Sequence, residues 1–103
     1  MIRVVLTTFA NAEDAAKAVR TLVDEQIIAC GTILPGARSI YRWKAAIEDT
    51  EEAVVLLKTS AERFPALEER LRAIHPYETP EIVALDPTAV SKDYAEWLIA
   101  CVS

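Results

Sequence analysis

The stretch AIHPYETPEIVAL, Ala73 to Leu85, carries the only histidine of the chain, with two prolines, a tyrosine and two glutamates around it. Three roles are open to His75: ending a helix, holding a metal, or moving protons. Its place at a helix C-terminus favours the protonated ring, because the dipole is negative there. Tyr77, Glu78 and Glu81 follow closely. A metal needs several ligands, however, and this segment offers one imidazole plus carboxylates on extended chain.

Cys30 follows the apolar run Ile27–Ala29. A lone strand cysteine is ordinarily a small buried hydrophobe, and its sharper reading is a soft ligand for Cu(I). Cys101, on the apolar side of the last helix, reads as core. The two cysteines form no C-x-x-C pair, which argues against structural zinc and a disulfide-built fold. Tyr41 and Trp43 share one strand face, so interface packing ranks above ligand stacking. Lys58 closes an apolar run, and pairing with an acid ranks above anion binding there. Residues 48–52, EDTEE, read as a solvated charge run able to attract hard cations weakly.

The chain has no nucleophile elbow, phosphate loop, zincin helix or dinucleotide fingerprint. One histidine without a Ser/His/Asp set gives hydrolysis little support, so no enzyme is expected. A net charge of −5 and no basic run longer than two residues argue against a nucleic-acid partner. The opening MIRVVLTTFA is too short to span a membrane and lacks a signal-peptide cleavage pattern. The expected location is the cytoplasm.

The elements that must position these residues follow from periodicity. At 103 residues and 52% hydrophobic composition, the chain is expected to form one domain over residues 1–103. Ile2 to Phe9 reads as a buried strand, and Asn11 caps a helix with Glu13 and Asp14 in its first turn. Ala12, Ala15, Ala16, Val19, Leu22 and Val23 trace one helical face. Ile27 to Leu34 reads as a strand broken by Pro35–Ala37. RSIYRWK resumes extended structure; after a turn near Lys44–Ile47 that carries no Asn-Gly or Asp-Gly signal, IEDTEE continues the ribbon into the strand AVVLLKT. A second helix covers Phe64 to Ile74, with Pro65 in its first turn and Pro76 ending it. PEIVALDP reads as a long last strand, and Ser91 caps a short helix carrying Tyr94, Trp97, Leu98 and Cys101.

The order β-α-β-β-α-β with an added C-terminal helix predicts an α+β, ferredoxin-like split βαβ fold. Two helices cover one sheet face, yet the strands read apolar on both. The last helix covers part of the second face, and the remainder predicts an oligomer. The residues by themselves describe a small oligomeric binding domain.

The segments LTTFANAEDAAKAVRTLVDEQIIAC, PGARSIYRWKAAIE, LLKTSAERFPALEERLRAIHPYETPEI and YAEWL resemble the CutA1 divalent-ion tolerance proteins over nearly the whole chain. SIYRW, LLKT and HPYETPEI at these separations carry the resemblance. It implies a PII-like homotrimer whose sheets pack around the threefold axis. It also implies a cytoplasmic role in tolerance to copper and other divalent metals. The family's proposed metal ligands fall on a strand-one cysteine, on adjacent histidines before PY and on the cysteine of AC. Those positions match Thr7, Ile74 with His75, and Cys30 here, so only His75 and Cys30 keep the ligand type. Gly31 stands where a larger apolar residue is usual, and Ala45 where a turn glycine is common.

The resemblance therefore predicts weak copper or other divalent-cation binding, Cu(II) through His75 and Cu(I) through Cys30, with no required cofactor. Tyr41, Trp43, Lys58, Tyr77 and Glu78 are the further binding and interface candidates. A second possibility is a PII-like module binding a small anionic metabolite between subunits through Lys58, Arg42 or Lys44. A third is an acylphosphatase-like enzyme, for which Asn11, the sole asparagine, would have to serve in the anion cradle.

Overall fold

The computed structural model describes residues 1–103. In chain order its elements are β1 (Ile2–Phe9), α1 (Ala12–Asp24), β2 (Cys30–Trp43), β3 (Ala46–Ser60), α2 (Phe64–Ile74), β4 (Val83–Leu85) and α3 (Lys92–Val102). The four strands form one antiparallel sheet in the order β2-β3-β1-β4, the expected split βαβ arrangement with its added helix.

Local chemistry sets the helix ends. Asn11 Oδ1 accepts the Asp14 N–H at 2.8 Å, with Glu13 and Asp14 in the positive first turn of α1. At the other end Gln26 adopts φ 59, its N–H reaches Val23 O, and the Ile27 N–H reaches Leu22 O. That pair of bonds is a Schellman ending, and Ile27 and Leu22 close it as members of one core cluster. Pro65 lies in the first turn of α2, and His75 caps its end with extended backbone at ψ 133.

The helices α1 and α2 cover one face of the sheet. Val5 and Phe9 of β1, Ala53, Val55 and Leu57 of β3, Ala15, Ala18 and Leu22 of α1, and Leu67 and Leu71 of α2 form the main core. The opposite face has a smaller cluster, where Leu98 and Val102 of α3 pack on Ile2 and Ala29. Beyond α3 this second face is bare: Leu34, Val83 and Leu85 are 48%, 45% and 47% exposed.

Two strand expectations change, and the turn expected near Lys44–Ile47 takes a defined form. The strand placed at Ile27–Leu34 begins at Cys30 and runs unbroken through Pro35–Ala37 to Trp43. Pro35 and Gly36 (φ 75) are absorbed as a bulge between Leu34 and Ala37, so β2 and β3 form one long ribbon. The turn is the pair Lys44–Ala45, both left-handed at φ 51 and φ 67, a two-residue hairpin turn without glycine or asparagine. The long strand read in PEIVALDP shrinks to Val83–Leu85, because β1, its only partner, pairs with it over three residues.

Candidate functional site

The ribbon of β2 and β3 extends past the end of β1, and the chain after α2 lies beside its base. Between them opens a cleft of about 540 Å³. Tyr41 and Trp43 reach it from β2, on the strand face that Thr50 and Glu52 of β3 share by register. Tyr77 and Glu78 line it from the loop after α2. Four of the seven candidate residues are thereby brought together, although they span 38 positions from Tyr41 to Glu78 in the sequence.

Glu52 is the residue that sequence reasoning missed. EDTEE was expected to be a solvated run, yet Glu52 is only 7% exposed, and its Oε2 accepts the Tyr77 hydroxyl at 2.7 Å. Alternation carries the apolar phase of Val54 and Leu56 back onto Glu52, a signal that marks its face but not its burial. Burial, and then the Glu52 carboxylate, push the Tyr77 phenol above its ordinary value, so it stays a protonated donor.

His75 lies just behind this pair and is 7% exposed. Its ring stacks on Phe9 with centroids 4.2 Å apart. Nδ1 accepts the Tyr77 backbone N–H at 3.1 Å, so Nε2 carries the proton and donates to Thr8 O at 2.7 Å. Both ring nitrogens are engaged within the chain. The helix-end expectation of a favoured imidazolium is corrected here: burial lowers the pKa, outweighing the Thr8 carbonyl and the Glu52 charge, which raise it.

Cys30 is elsewhere. It pairs with Lys58 on the sheet face that α3 partly covers, and its Sγ lies 3.6 Å from the Tyr94 hydroxyl. His75 bonds to Thr8, whose partner in β3 is Val54, four residues from Lys58. At about 3.3 Å per residue, the two candidate ligands stand about 13 Å apart along the strand, on opposite faces of the sheet. No group of three His, Cys, Asp or Glu side chains converges on a point within one subunit.

Lys58 donates to the Thr32 hydroxyl at 3.0 Å instead of pairing with an acid. The register explains why: Thr32 is diagonal to Lys58 on the same face, whereas the carboxylates of β3 lie toward the far end of the ribbon. Lys58, Arg42 and Lys44 are all absent from the cleft lining. Asn11 is occupied as the α1 cap and also contacts the Asp14 side chain. Thr7, which the resemblance sets at a strand-one cysteine, is fully buried on the α1–α2 side, with its hydroxyl unpartnered.

Comparison with known proteins places these features in context. Residues 3–101 match the family model described as CutA1 divalent ion tolerance protein. The chain is 43% identical over 98 residues to the divalent-cation tolerance protein CutA of Thermus thermophilus, covering 95% of each. It is 41% identical over 96 residues to the protein of that name from Pyrococcus horikoshii, covering 93% of each. The solved structure of the Thermus thermophilus protein superposes with a TM-score of 0.95 at 41% identity, over 100% of both chains.

Proposed function

The chain belongs to the CutA1 divalent ion tolerance family, and from that premise we propose that it acts as a cytoplasmic homotrimer in tolerance to copper and other divalent cations, binding or sensing the metal without catalysing a reaction. The observation that carries the trimer is the bare apolar part of the sheet around Leu34, Val83 and Leu85. Monomers rarely leave such a contiguous apolar face in water. The two free thiols, Cys30 and Cys101, support a reducing compartment.

In this reading direct metal contact is weak. His75 and Cys30 lie too far apart to share an ion within one subunit, so a site using either takes its other ligands from a neighbouring subunit. Cu(II) at His75 would first have to displace the Tyr77 N–H from Nδ1 or the Thr8 carbonyl from Nε2. Cu(I) at Cys30 would displace only the long contact with Tyr94. Light scattering and calorimetric titration test these points together. The expected results are a trimer, weak Cu(II) binding lost in His75→Ala, and Cu(I) binding lost in Cys30→Ser. A stable monomer ends the assembly claim. Copper affinity unchanged in both variants ends the assignment of these ligands.

A further inference from the structure

We propose that the cleft at the base of the ribbon binds a small organic cation, an amine or quaternary ammonium with an apolar body. This site is distinct from the metal candidates and does not depend on them. Its walls combine the rings of Tyr41, Trp43 and Tyr77 with the acidic residues Glu52, Glu78 and Glu81. No lysine, arginine or histidine is among the lining residues. Three acids with no basic residue in the lining disfavour an anionic metabolite and attract a cation.

The charge is also placed for use. Glu52 is only 7% exposed; Tyr77 holds one of its oxygens and the other has no hydrogen-bond partner. The oxygen that Tyr77 leaves free is an open acceptor, and a ligand N–H or ammonium would make a charge-assisted hydrogen bond to it. The Trp43 ring is a surface of the kind that cations favour, and Lys44 Nζ lies 5.7 Å from its centroid, so a ligand cation would compete with that lysine or take the other ring face.

A bare metal ion fits less well. Hard dications need several oxygens converging at about 2.0–2.6 Å, and no three acidic side chains converge here. An ammonium is larger and of lower charge density, so carboxylates spread around an aromatic wall suit it. The cleft volume of about 540 Å³ is in the range of small-molecule sites.

Choline and its uncharged carbon isostere, 3,3-dimethylbutan-1-ol, differ in charge at nearly constant shape. Calorimetric titration of the full-length, assembled protein with each is the test. Choline should bind about tenfold or more tightly than the alcohol, the difference expected of one cation–aromatic and carboxylate set. Trp43→Leu and Glu52→Gln should each weaken choline several-fold. Glu78→Gln, in an exposed loop, provides the same test if Glu52→Gln folds poorly. Copper titration of Trp43→Leu should match wild type, which separates this site from the metal reading. Equal affinity for choline and the alcohol, choline binding untouched by all three substitutions, or no binding at millimolar choline overturns the proposal.

Discussion

His75 shows how one side chain can be defined by its contacts more than by its type. Held between Thr8 O and the Tyr77 N–H and stacked on Phe9, it is a neutral structural ring. Its pKa in the folded protein lies below the ordinary 6.5, so the unfolded chain takes up the proton first as the pH falls. The ring's contribution to stability is therefore complete above pH 6.5 and declines as the pH drops from there toward the lowered value. Denaturant unfolding at a series of pH values should show that slope. His75→Ala should remove the slope and cost about 2–3 kcal/mol, from the lost stacking and hydrogen bonds. Unfolding that steepens below pH 6.5 equally in wild type and variant would assign the slope to other groups.

Among the elements, β2 and the turn that follows it depend on two small residues, Gly31 and Ala45. Gly31 faces α1, and a Cβ there would lie 2.7 Å and 2.9 Å from the two methyls of Val19. The missing side chain lets α1 sit close to the sheet. Gly31→Ala should cost about 1–3 kcal/mol through overpacking, read as a lower unfolding midpoint at fixed protein concentration. At the far end of the ribbon, Ala45 holds φ 67, where an L side chain is strained. Ala45→Gly should raise stability by about 0.5–1 kcal/mol, the relief of that strain less the added chain entropy. An unchanged or lower midpoint would mean that the turn relaxes around alanine without strain.

At the scale of the molecule, the sheet has two unequal faces. The first is sealed by α1 and α2; α3 covers only the Ile2–Ala29 end of the second. If the proposed trimer buries the rest, Leu34→Glu places a charge in that contact. Light scattering should then report a smaller species, with far-UV circular dichroism unchanged because Leu34 lies outside both core clusters. A variant that keeps the wild-type mass would locate the subunit contact elsewhere. The cleft lies on the ribbon outside those clusters, so ligand binding there need not disturb either core.

The parts legible in the sequence were those decided by neighbours in the chain. The α2 limits at Phe64 and Ile74 follow from Pro65 and Pro76, and the α1 start from Asn11 and its acidic first turn, because caps and proline act over one turn. The split βαβ order followed from the sequence of apolar periods. Tertiary structure decided what required a distant partner. The length of β4 depended on how much of β1 it could pair with, and the continuity of β2 on β3 holding both sides of a bulge. Glu52 and Glu51 are neighbours of one type, yet only Glu52 meets the hydroxyl of Tyr77, 25 residues later. His75 sits at a helix end that favours its charge, and only burial, with Phe9 stacked on the ring, outweighs that end and the Thr8 carbonyl to keep it neutral. Burial and long-range hydrogen bonds arise from contacts between segments far apart in the chain, which local composition does not encode.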